Sequence, residues 1–181
     1  MLNRDLIQTL NGESPGAARL PLGDYLEALR ADVAAIFGKN AFVLTAATLG
    51  IKAASSPTVK TVGACSFMAA GVVQAKSANT DMSAIAGTLA TAKVALWAFY
   101  IDSAGTITTS TKTTDADTVA AALALKPAVP ANKVEIGYIT VANTSGSNFV
   151  GGTTALDAAG IATTYRSNPA LTMQARSLVG G

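Results

Sequence analysis

Hydrophobic and polar positions change period along this chain. Between residues 22 and 38, apolar side chains recur at Leu22, Leu26, Leu29, Val33 and Ile36, the alternating four-and-three spacing of a heptad seam, with Arg30 and Asp32 off it. The spacing predicts a helix that opens at Asp24 as N-cap, with Glu27 three residues on in a capping-box arrangement, and that ends at Gly38. Such a stripe either lies on its own domain or packs against symmetry mates or another protein. Two heptads are too short to hold a coiled coil alone, so association through the seam needs the following domain to oligomerise as well. Ahead of the helix, residues 1–21 read as an extended arm, because Asn11-Gly12-Glu13-Ser14-Pro15-Gly16 is a cluster of turn formers and Pro21 closes the stretch.

After Gly38 the period shortens to that of strands separated by turns. Residues 42–51, 58–62, 66–75, 93–101, 106–112, 133–142 and 161–166 are each rich in β-branched or aromatic side chains. Turn formers separate them at Asn79-Thr80-Asp81, at Asp102-Ser103-Ala104-Gly105 and from Asn143 to Asn148. The expected fold is mainly β: an antiparallel β-sandwich or barrel-like domain over residues 39–166 with one inserted helix. An N-terminal arm and amphipathic helix (1–38) precede it, and a tail (167–181) follows.

The stretch 93–101 is apolar on both faces. Ala95, Trp97, Phe99 and Ile101 point one way, and Val94, Leu96, Ala98 and Tyr100 the other. An antiparallel strand normally wets one face, so the second face is expected to meet the helix, another layer or another subunit. The inserted helix runs from Val119 to Leu125 and stops before Pro127, with Thr114-Asp115-Ala116-Asp117 placing acidic residues at its N-terminus. In the next strand, Lys133, Val134, Glu135 and Ile136 alternate, which predicts that the charged pair lies outside.

Composition bears on function chiefly through what is missing. The 181 residues hold no histidine and one cysteine, charged residues are 13%, and half the chain is hydrophobic, much of it alanine. Histidine-based hydrolase triads and zinc sites are thereby excluded, and a chain short of proton shuttles and surface charge is expected to be no enzyme, to carry no cofactor, and to pack against protein. Net charge is +2 with the basic residues scattered singly, which argues against a nucleic-acid partner. The start lacks the apolar run of a signal peptide and no apolar stretch reaches the ~20 residues that span a bilayer, so folding in a cytoplasm without a membrane partner is expected. Arg4, Arg19, Arg30, Arg166 and Arg176 lie in the terminal segments while residues 39–133 use only lysine; this marks the ends as docking parts or is chance.

Individual candidates for chemistry read as structural. Cys65 has no partner for a disulfide and sits among small or apolar neighbours, the setting of a buried inert thiol. Asp115 and Asp117 diverge on a helix, Asp102 suits a hairpin turn, and Gly151-Gly152-Thr153-Thr154 lacks the lysine and spacing of a Walker motif.

The hairpin Trp97-Ala98-Phe99-Tyr100-Ile101-Asp102-Ser103-Ala104-Gly105-Thr106-Ile107-Thr108 resembles a family of tailed-bacteriophage virion proteins. The similarity continues through Asp115 to Pro130, through Val134 to Val141 and through Phe149 to Leu156, roughly residues 93–166. The resemblance implies a structural subunit of the head decoration or head-fibre type, made in the host cytoplasm and placed on the virion. The implied partners are the major capsid protein or other virion proteins and further copies of the chain, as dimer or trimer. In that picture Leu22, Leu26, Leu29, Val33 and Ile36 form the assembly interface. The alternative within the same class is a tail appendage that binds a receptor.

Overall fold

The computed structural model describes residues 41–170. The arm, the helix with its Leu22, Leu26, Leu29, Val33 and Ile36 seam, and residues 171–181 lie outside the described residues. Within them the chain forms β1 (Phe42–Thr45), β2 (Leu49–Ile51), β3 (Val59–Thr61), β4 (Cys65–Ala69), β5 (Val72–Lys76), β6 (Thr88–Leu89), β7 (Lys93–Asp102) and β8 (Ile107–Thr109). Helix α1 (Val119–Ala124) follows, then β9 (Lys133–Asn143), β10 (Phe149–Val150) and β11 (Ile161–Ser167). All pairing is antiparallel. The largest sheet has the order β11-β9-β7-β8; β1-β4-β5 form a second sheet, and β2-β3 and β6-β10 are two-stranded.

The core lies between the two larger sheets, in a sandwich-like arrangement. Trp97, Phe99 and Ile101 from β7 and Ile136, Ile139 and Val141 from β9 are fully buried in one cluster with Phe67 and Ala69 of β4 and Val43 of β1. Phe149 and Leu89 close one end, with Phe149 edge-on to Trp97 at 6.0 Å between ring centroids. Each such side chain contributes roughly 1.5–3 kcal/mol by leaving water. The indole N–H of Trp97 donates to the Ala86 carbonyl at 2.9 Å, so its polar edge is not left unsatisfied.

The other face of β7 is covered too, as its apolar pattern predicts. Helix α1 packs on β7 and β9, with Ala122 buried against Val94 and Ala116. Leu96, Ala98 and Tyr100 form a further buried group with Tyr138. Six residues cannot hold a helix in water unaided; what holds this one is the sheet beneath and the Thr118 N-cap, whose hydroxyl accepts from the Ala121 N–H at 3.1 Å.

Three departures from the sequence expectation have local causes. The stretch 66–75 is a hairpin rather than one strand, because Ala70 (φ 47°) and Gly71 (φ 78°) make a two-residue turn of the kind whose twist suits paired strands. Likewise, 42–51 breaks into β1 and β2, which join different sheets. The β domain also runs past residue 166. Ser167 ends β11, and the Asn168 N–H donates to the Ile136 carbonyl at 3.0 Å, so these residues belong to the sheet and not to a tail.

Candidate functional site

The acidic residues are the natural place to look for chemistry, and local structure accounts for each of those described. Asp115 and Asp117 are not at the helix N-terminus. The chain from Ser110 to Ala116 continues along β7, with Ser110 N–H donating to Ala98, Thr113 N–H to Leu96, and Val94 and Ala116 exchanging both bonds. In this extended segment the two carboxylates diverge: Asp115 pairs with Lys112 and accepts from the Ala90 N–H, while Asp117 pairs with Lys93. Capping falls to Thr118, and no acid lies in the first turn. Burial pushes the Asp115 carboxyl up, but the Lys112 hydrogen bond, the Ala90 N–H and the charges of Lys112 and Lys93 together hold it below its ordinary value. The Asp117 carboxylate holds the Lys93 ammonium above its usual range.

Asp102 sits in the hairpin turn as expected, its Oδ1 accepting from the Ala104 and Thr106 N–H groups at 2.9 Å each. Asp157 accepts from the Ser55 N–H, and Asp81 meets Lys52 at 2.5 Å. The Gly151-Gly152-Thr153-Thr154 stretch is a turn closed by the Thr154 hydroxyl, which accepts from the Val150 N–H, and Gly151 packs against Ala86. Cys65 is buried, and burial pushes its thiol up while the Lys76 charge pulls it back less. Among the described residues, no three of Cys, Asp and Glu gather as a metal site.

Glu135 corrects the alternation reading. It does lie on the face opposite Val134 and Ile136, but that face is covered here, and the residue is 3% exposed. A bulge makes this possible: Phe99 pairs Gly137 and Tyr100 pairs Glu135, so Ile136 is the extra residue and resets the alternation of β9. The carboxylate meets the Lys126 ammonium at 2.6 Å, without the alignment of a hydrogen bond, and Lys126 also lies 4.8 Å from the Tyr138 ring centroid. The Tyr100 hydroxyl is buried beside them with no partner among the described residues. Burial first, and the Glu135 charge second, push this phenol above its ordinary value. Sequence pattern alone does not signal this cluster, because its members come from three separate elements.

No family model, curated protein or solved structure matches the chain. An open cleft of about 600 Å³ is lined by Phe42 and Val43 of β1, Val129 and Pro130 of the connector after α1, and Lys133 and Asn168. Its polar groups are largely committed: Lys133 donates to the Thr108 hydroxyl at 2.9 Å and Asn168 Nδ2 to the Glu135 carbonyl at 3.0 Å. Asn143, fully buried, is a further polar group that sequence reading missed. Its amide donates to the Leu89, Ala90 and Ser147 carbonyls and accepts from Ser145, which ties the 143–148 loop to β6. No described helix is long and apolar enough to cross a membrane.

Proposed function

We propose that this chain is a non-enzymatic structural component of a bacteriophage particle, a capsid decoration or head-fibre subunit that packs on the capsid and self-associates. One observation carries the non-enzymatic part. Each of the six acidic side chains among the described residues is engaged by a lysine or a backbone N–H: Asp81, Asp102, Asp115, Asp117, Glu135 and Asp157. A general acid or base needs a proton-transfer path to substrate, and carboxylates fixed as turn locks and ion pairs offer none. Polar investment of this kind favours a rigid module whose work is packing.

The virion part rests on the resemblance described for residues 93–166. Those residues supply β7, β8, α1, β9, β10 and most of β11, so the resemblance described extends over nearly all of the largest sheet and its covering helix. Gold-labelled antibody against this chain is expected to decorate the heads of intact particles. Label confined to tails overturns the head placement in favour of a receptor-binding appendage; absence of label from particles overturns the virion reading itself.

A further inference from the structure

Residues 117–132, which include α1, cross the second face of the largest sheet between two fixed points. Ala116 exchanges both backbone hydrogen bonds with Val94 just before them, and Lys133 opens β9 just after. Between those points the backbone bonds close locally. Ala122 N–H donates to the Thr118 carbonyl, Leu125 N–H to Ala122, Lys126 N–H to Leu123, and Lys133 N–H to Pro130. Among the described residues, no backbone hydrogen bond joins 117–132 to β7 or to the body of β9.

Side chains hold the stretch scarcely better. Ala122 is the one buried residue in it, Lys126 and Pro127 are half-buried, and the rest are exposed, Val119, Leu123, Leu125 and Val129 among them. Helix α1 thus turns its large apolar side chains to water and a single methyl group to Val94 and Ala116. Further on, Val129 and Pro130 border the open cleft opposite Phe42 and Val43. Two ion pairs remain, Asp117 with Lys93 and Lys126 with Glu135. The first is exposed and contributes little. The second is buried on the Glu135 side, and beneath it the Tyr100 hydroxyl and one Glu135 carboxylate oxygen lie buried without a hydrogen bond. Water reaching these two groups would relieve their desolvation cost.

We infer that residues 117–132 form a strap that lifts from the sheet as a unit, with the Lys126–Glu135 pair as its clasp. Lifting breaks no sheet hydrogen bond and uncovers little apolar area, so it opens separately from the core. Helix α1 unwinds as it leaves, because six residues do not hold a helix in water. The open form hydrates Glu135 and Tyr100 and bares the second face of β7, where Val94, Leu96, Ala98 and Tyr100 are otherwise buried. Access to that apolar face is gated by the strap. The device is independent of the virion reading.

Thiol labelling of the full chain tests it, with Cys65 as a reference, since Cys65 is buried in the core between the sheets and away from the strap. Ala122→Cys places a second thiol beneath the strap. Each labelling rate is divided by the rate of the same thiol in the urea-unfolded chain. The introduced thiol is expected to react at least about 100-fold faster than Cys65, and almost independently of urea below the unfolding transition, because lifting exposes little surface. Lys126→Met is expected to speed its labelling on the order of 100-fold by leaving Glu135 buried and unpaired in the closed form. Tyr100→Phe is expected to slow it several-fold, since the closed form then holds one unsatisfied group fewer. Val94→Cys probes the sheet side of the same contact and is expected to follow the same rates, which keeps the test open if Ala122→Cys does not fold. Introduced thiols that react only at the Cys65 rate and with its urea dependence overturn the strap. Labelling untouched by Lys126→Met overturns the clasp.

Discussion

Glu135 on β9 and Lys126, just beyond α1, meet at 2.6 Å with 3% and 30% of their side chains exposed. This contact ties the connector after α1 to the sheet. A buried charge that loses its partner costs far more than the intact pair contributes, whereas replacing both partners with apolar groups is often neutral. Lys126→Met is expected to lower the unfolding free energy by on the order of 3 kcal/mol. The Lys126→Met/Glu135→Leu double variant is expected to recover most of that loss. Urea midpoints at unchanged denaturant slope check both.

Tyr100 sits opposite Glu135 in the same ladder, and its hydroxyl is buried without a partner. Removing an unsatisfied buried polar atom relieves a desolvation cost, so Tyr100→Phe is expected to be neutral or stabilising by about 1 kcal/mol. The phenol is held above its ordinary value of 10.0 in the folded chain, burial being the larger cause and the Glu135 charge the smaller. The unfolded state therefore releases this proton first as pH rises, and the stability gained is complete below about pH 10 and lost as pH climbs through the folded pKa. Stability measured against alkaline pH is expected to fall less steeply in Tyr100→Phe. Part of the fall remains, since Tyr165 is pushed up as well, by burial and then by Asp157.

Asp115 works at the other end of the pH scale. Its folded pKa lies below its ordinary value of 3.8, so the unfolded chain takes up this proton first. The associated stability is fully present above about pH 5 and is lost as pH falls through the folded pKa. Asp115→Asn is expected to be less stable than wild type at pH 7 and to show a shallower acid limb. Thermal midpoints between pH 2 and about pH 7 check this, with the two curves converging at the acid end.

The parts of this fold that a period could reveal were readable, and the parts set by distant pairing were not. The two-faced apolar pattern from Val94 to Ile101 marked the central strand, because only a strand covered on both sides tolerates it. Helix α1 was equally visible as the run of helix formers from Val119 to Leu125 ahead of Pro127, though its Thr118 cap was not. The roles of Asp115 and Asp117 were not, since acids ahead of a helix look like caps unless it is known that Ala116 pairs with Val94. Burial of Glu135 depends on a bulge opposite Phe99 and Tyr100 and on a lysine nine residues earlier in the chain, neither of which leaves a local trace. Two-residue strands such as β6 and β10 are too short to carry any period.

Gly137 marks where β9, β11 and β2 crowd together, and a small substitution there tests the packing of the sheet. A Cβ at this position meets the Arg166 carbonyl oxygen at 2.3 Å, the Ser167 Cα at 2.9 Å and the Leu49 Cδ1 at 2.9 Å. Leu49 can rotate, but the backbone of β11 cannot withdraw without breaking its ladder to β9, where Gly137 pairs Ser167 and also lies opposite Phe99. The site therefore needs glycine for lack of space and not for an unusual φ. Gly137→Ala is expected to destabilise the domain by about 3 kcal/mol, at the upper end for overpacking, because the clash is with main chain. Hydrogen exchange on the variant is expected to quicken first at Arg166 and Asn168, whose amides lie on the β9 side of the strand, while the β4–β5 amides keep their relative protection. A uniform loss of protection throughout the domain would show instead that β11 does not open separately from the core.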